Sequence, residues 1–242
     1  MPTASSALTA ADILTELKAL GKENYKNILL RHGVAEPVFG VSIEQLKKIQ
    51  KRIKKNYQLA LDLYDSGVYD AMYLAGLIAD DGRMTKKDLQ KWADNATSNA
   101  ACSFTVAWVA AESAHGWDLG LKWIESKKPR IRAAGWATLG SYISITPDED
   151  LDLATLKQLL KRVEKAIHQE PDEIRYLMNG FVIGVGCFVA PLSELALKTA
   201  EAIGKVECDM GDTACQVPFA PDYIRKVKQR GAIGKKRKTA KC

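Results

Sequence analysis

Two clusters of cations have the spacing that contact with a polyanion requires. Lys47, Lys48, Lys51, Arg52, Lys54 and Lys55 place six positive charges within nine residues. On a helix, Lys47, Lys51 and Lys54 recur at i, i+4 and i+7 and share one side, opposite a stripe of Ile43, Leu46, Ile49 and Ile53. Such a row could track phosphates through salt-sensitive charge contacts; a solvated helix face is the competing account. Lys127, Lys128, Arg130 and Arg132 surround Pro129, where a helix is expected to start. The unpaired N–H groups of a first helical turn, with arginines beside them, make a natural phosphate site. Cations are otherwise unfavourable at that end, so these need an anionic partner or solvent.

Other constellations carry less chemistry. Cys208 and Cys215 flank Asp209, Gly211 and Asp212, but their spacing matches no common zinc knuckle, and His32, His115 and His168 are scattered. No metal and no cofactor are expected. Gly180, Gly184 and Gly186 follow no strand, so close helix packing accounts for them better than a dinucleotide fingerprint. Of Trp92, Trp108, Trp117, Trp123 and Trp136, the last reads as a packing residue. Trp117 and Trp123, near Asp118 and Glu125, are the candidates for partial exposure. Five cysteines without framework spacing imply reduced thiols and a cytoplasmic protein.

The elements that must position these residues are helices. Strand alternation is rare, and Gly and Pro fall between long segments of helical periodicity. Ala10 to Leu20 sets Ile13, Leu14, Leu17 and Leu20 on one face and stops at Gly21; Ser42 with Gln45 opens a helix from Ile43 to Lys55. Further helices are expected near 58–64, 69–79, 86–96, 101–113, 119–126, 130–143, 153–168, 172–189, 192–203 and 221–229. The residues before position 9 form a small, polar segment without signal-peptide character.

Charge is distributed unevenly. Nine of the 35 Lys and Arg residues follow Ile224, with no acid among them, leaving 26 basic residues against 29 acidic ones in the first 224. The body is therefore mildly acidic, and the run Lys235-Lys-Arg-Lys predicts a disordered basic tail over 231–242 behind a helical domain over 9–230.

Small residues interleave with large ones in a recurring way. Aligning segments on Asp70, Phe104, Arg132 and Arg175 puts Leu74, Trp108, Trp136 and Asn179 at one equivalent position. The anchors stand 34, 28 and 43 residues apart. That irregular spacing suits degenerate helical pairs that stack. The fold expected is all-α, a HEAT-like helical-repeat solenoid.

The segments Phe39-Gly-Val-Ser-Ile-Glu-Gln-Leu-Lys-Lys-Ile and Leu59-Ala-Leu-Asp-Leu-Tyr-Asp-Ser-Gly-Val-Tyr-Asp-Ala resemble the N-terminal half of the DNA alkylation repair (AlkD-like) family. The likeness continues through Met84-Thr-Lys-Lys-Asp-Leu and Lys127-Lys-Pro-Arg-Ile-Arg-Ala-Ala-Gly-Trp and spans about residues 22–205. It implies a curved array of helical hairpins whose concave, basic face holds duplex DNA. It also implies hydrolysis of the N-glycosidic bond of cationic alkylpurines. That chemistry needs a carboxylate against an oxocarbenium-like sugar and aromatic faces around the base.

The family supplies these with a W-D-x-x-D motif in mid-chain and a Trp in a later helix. Here the motif falls on Asn99-Ala-Ala-Cys-Ser103, with neither Trp nor Asp, and Phe181 is the aromatic nearest the later position. The resemblance carries over Arg130, Arg132 and Arg175, but no catalytic carboxylate. Lys47, Lys51, Lys54, Lys127, Lys128, Arg130, Arg132 and Arg175 thus form the expected DNA-binding set. Three functions remain open: an alkylpurine DNA glycosylase, a noncatalytic binder of distorted or branched DNA, and a scaffold for protein partners.

Overall fold

The computed structural model describes residues 8–211 and 213–241; the expected segment 1–8 lies, apart from Leu8, outside them. Thirteen helices are seen among the described residues, and no strand. They are α1 (Ala10–Leu20), α2 (Glu23–Arg31), α3 (Ile43–Ile53), α4 (Tyr57–Asp65), α5 (Tyr69–Ile78) and α6 (Lys86–Asn95). Then come α7 (Ala101–Glu112), whose first part, Ala101–Val106, is π-helical, and α8 (Gly116–Trp123). The chain continues with α9 (Pro129–Ile145), α10 (Leu153–Ala166), α11 (Asp172–Phe188), α12 (Ser193–Ile203) and α13 (Ala220–Gln229). Side chains of Thr9, Ser42, Asn56, Thr85 and Asp152 accept from first-turn N–H groups, which satisfies donors that helix starts leave free.

The helices form two rows. In one, α3, α5, α7, α9, α11 and α13 pack in succession; α4, α6, α8, α10 and α12 stand behind them. The aligned positions Leu74, Trp108, Trp136 and Asn179 fall on α5, α7, α9 and α11 and are all buried. The repeated texture is therefore the core side of one row. All ten residues of α5 are buried, which is why it lacks an amphipathic pattern. Glycine allows the closest approaches. A Cβ on Gly135 would stand 2.6 Å from the Ile124 backbone nitrogen, and one on Gly186 would stand 2.5 Å from Ile224 Cδ1. The packing expected of the α11 glycines is thus realised at Gly186.

Two helices differ from expectation. No residue of α2 is fully buried, and its Ile28, Leu29 and Leu30 are consecutive rather than periodic, so no stripe announces it. α8 begins three residues early, at Gly116, because Ser113 Oγ accepts from His115 N (3.1 Å) and turns the chain. A side chain at 116 would meet the Ala110 carbonyl at 2.6 Å.

The tail requires the largest correction. Residues 234–241 are not a solvated, disordered segment; they form a strap across the C-terminal ends of one helix row. Gly234 N donates to Cys187 O on α11 (2.9 Å), and Arg237 N to Ser144 O on α9 (2.8 Å). Lys236 Nζ donates to Ile143 O (3.0 Å) and stands 2.8 Å from Asp148 Oδ1. Glu112, ending α7, accepts from Thr239 Oγ1 and from Ala240 N, the latter at 2.7 Å, and Ala240 is fully buried. Lys241 Nζ reaches Asp81, 2.8 Å from Oδ1 and 2.9 Å from Oδ2; its aligned hydrogen bond goes to Oδ2, so charge alone holds Oδ1. The physical reason is local to helix ends. The last carbonyls of α9 and α11 lack intrahelical donors and carry the negative end of the macrodipole, which a basic chain complements.

Candidate nucleic-acid interface

Two cavities open along this row, and the strap lines both. The first, about 470 Å³, is bounded by Ser103, Phe104, Trp108, Trp136, Phe181 and Tyr223, with Lys235 and Arg237 from the strap. Trp136 and Phe181 meet edge to face at 5.2 Å, Phe104 lies 5.5 Å from Trp108, and Trp108 contacts Tyr73 at 5.4 Å. Phe104 and Tyr223 are 45% and 51% exposed, so aromatic surface faces solvent at this opening. Ser103 occupies the last place of the expected W-D-x-x-D motif, and Phe181 the place near the later Trp. The fold thus brings both departures into one cavity. Among the described residues, no Asp or Glu lines it.

The second cavity, about 420 Å³, is lined by Gln50, Lys51, Lys54 and Lys55 of the α3 region, with Leu77, Glu112, Thr239 and Lys241. Glu112 is its one acid, and its Oε1 is engaged by the strap. Asp94 sits on α6 in the opposite row and pairs with Lys128 at 3.0 Å. Lys47, Lys51 and Lys54 are exposed and have no ion-pair partner among the described residues. Lys54 is the one non-glycine described residue with positive φ (62°, with ψ −144°), a costly conformation for a side-chain-bearing residue.

The cations expected at helix starts serve differently. Arg132 Nη2 donates to Glu170 at 2.7 Å and is half-buried. Arg175 donates to the Glu170 and Glu207 carbonyls (2.9 and 2.6 Å) and pairs with Asp172. Arg130 Nη1 donates to Ala96 O at 2.6 Å. All three donate to acceptors on neighbouring segments, which offset the otherwise unfavourable placing of a cation at a helix N-terminus. Lys127 is exposed with no ion-pair partner among the described residues, and Lys128 is held by Asp94.

The aromatic expectations divide. Trp117 is partly exposed, stacked at a tilt 5.6 Å from Tyr142, whereas Trp123 is 1% exposed and donates Nε1 to Gln90 Oε1 (3.0 Å). Periodicity could not reveal that α8 presses Trp123 against α6. Cys102 and Cys187 are buried free thiols, pushed up to about 12 and about 11 by burial; Cys215 is exposed.

The DNA alkylation repair enzyme family model matches residues 13–200, most of the chain. The chain belongs to this family. The resemblance read from the sequence is thereby borne out, as is the HEAT-like helical-repeat fold. A solved family relative, described as "a new family of proteins related to the HEAT-like repeat DNA glycosylases with affinity for branched DNA structures", superposes with a TM-score of 0.89. It is 35% identical, and the match covers 97% of this chain and 100% of that one. Two uncharacterized Listeria proteins, Lin0241 of L. innocua and Lmo0209 of L. monocytogenes, are each 32% identical over 230 residues. Each match covers 92% of this chain and 99% of the relative.

Proposed function

We propose that this family member binds branched or distorted DNA and does not excise bases. The observation that carries the reading is the first cavity. Where the resemblance implies a carboxylate and a Trp, this chain has Ser103 and Phe181, and among the described residues the lining holds two cations and no acid. A cationic alkylpurine would be repelled there by Lys235 and Arg237, and nothing in the lining could stabilise an oxocarbenium-like sugar. Glu112 next door already accepts two hydrogen bonds from the strap. What remains is a surface for phosphates: Lys47 and Lys51 on α3 and Lys54 just past its end are exposed and have no ion-pair partner among the described residues, the condition for counterion release on binding DNA.

The relative's affinity for branched DNA supports the choice of ligand. Exposed Phe104 and Tyr223 offer stacking faces to unpaired bases at a branch point, worth about 1–3 kcal/mol per base in single-strand binders.

The test has two arms. Gel-shift titration of a four-way junction and of a linear duplex of equal length should show tighter binding to the junction. Duplexes carrying 7-methylguanine and 3-methyladenine should release no base above the spontaneous rate at saturating protein. Failure to bind either DNA removes the binding reading, and enzyme-dependent release restores the glycosylase.

A further inference from the structure

The strap sorts its cations into two sets. Lys236 and Lys241 point inward: they are 18% and 10% exposed and pair with Asp148 and Asp81. Lys235, Arg237 and Lys238 point outward, are exposed, and have no side-chain hydrogen bond or ion pair among the described residues. The inward set is interleaved with backbone anchors at Gly234, Arg237 and Ala240, so the outward side chains rise from a backbone fixed at three points. A flexible tail would lose conformational entropy on meeting a ligand; a pinned one has already lost most of it.

Position matters as much as order. Lys235 and Arg237 border the aromatic cavity, and Lys241 and Thr239 border the cavity that holds Lys51 and Lys54. The strap therefore joins the α3 cations to the aromatic opening in one cationic track. Without it, the first cavity would have no cation in its lining.

We propose that the docked strap is a phosphate-binding element of this protein: Lys235, Arg237 and Lys238 contact DNA phosphates, while Lys236 and Lys241 hold the segment in place. This rests on the DNA-binding reading above and adds to it a site in a segment beyond the residues the family model matches. The ligand class is a nucleic-acid backbone, because Lys235 and Arg237 beside exposed aromatic rings, with Lys238 next along the same anchored backbone, suit phosphates that alternate with bases.

The test compares full-length variants by the salt dependence of junction binding. Lys235→Gln/Arg237→Gln/Lys238→Gln removes three outward charges and no internal contact, so its melting temperature should match that of the wild type. Its slope of log K against log salt should be shallower by roughly 2–3, with affinity lower by about 10- to 100-fold at moderate salt. Lys236→Gln should instead lower the melting temperature. An unchanged slope and affinity in the triple variant, with wild-type binding intact, overturns the strap as a phosphate site and leaves the DNA-binding reading standing. Absence of wild-type binding overturns that reading itself. A parallel Lys47→Gln/Lys51→Gln/Lys54→Gln variant distinguishes the two: loss there, with none in the strap variant, assigns the phosphates to α3 alone.

Discussion

Lys241→Met tests whether the last residues of the strap hold the helical array. Asp81 is 3% exposed and is approached by two ammonium groups, Lys241 at 2.8 Å and Lys55 at 3.2 Å. Removing one partner of a buried pair costs about 3–5 kcal/mol, because the other charge stays buried without compensation. Here Lys55 remains, but it is 63% exposed and supplies a solvent-weakened share. The expected loss is therefore about 2–4 kcal/mol, a fall in Tm of about 5–15 °C for a chain of this size. Methionine keeps the unbranched apolar stem, so lost packing contributes little. Thermal melts followed by circular dichroism measure the change, and a cycle with Asp81→Asn isolates the pair. The double variant should be more stable than the two single losses predict, since the neutral amide that replaces the Asp81 carboxylate no longer needs the ammonium. A fall of under about 2 °C with additive single effects would match an exposed, inconsequential ion pair and refute docking of the strap.

Lys54→Gly should raise Tm by about 2–6 °C, because glycine relieves roughly 1–2 kcal/mol of positive-φ strain at that helix end, while DNA binding weakens by one cation; a lower Tm would show the backbone there to be unstrained. Arg132→Glu should destabilise the fold by about 2–4 kcal/mol in denaturant titration, since it sets a second carboxylate against half-buried Glu170; full stability would place Arg132 on the surface instead. In native protein at mildly alkaline pH, a thiol reagent should label Cys215 well before Cys102 or Cys187. Burial raises the latter two to about 12 and about 11, which keeps them as neutral, unreactive thiols until pH approaches those values. Peptide mapping that found early labelling of Cys102 would contradict the packing of α7.

Much of the helical frame was legible because it rests on local rules. The Thr85–Asp88 and Ser42–Gln45 pairs mark helix starts wherever the chain goes, and the Ile and Leu stripe of α3 points inward in any helical packing. The alignment of Leu74, Trp108, Trp136 and Asn179 located the core side of four successive helices of one row. Arg132 and Arg175 look alike in sequence whether they face phosphate or Glu170, and only the fold shows that both donate to Glu170.

By itself the amino-acid sequence determined the all-α class, the boundaries of every described α-helix except α2 to within a few residues, and the family, since periodicity, caps and motif spacing are properties of neighbours along the chain. Tertiary structure alone decided the fate of the basic terminus. A run of like charges without apolar residues reads as solvated, and the groups that order it lie far away: Glu112 is 127 residues from Thr239, and Asp81 is 160 from Lys241. Only when the helices stack do their carboxylates and unpaired end carbonyls form a line that an extended chain can follow. Stacking also set Ser103, Phe181 and Arg237 around one cavity, although they lie far apart in the chain.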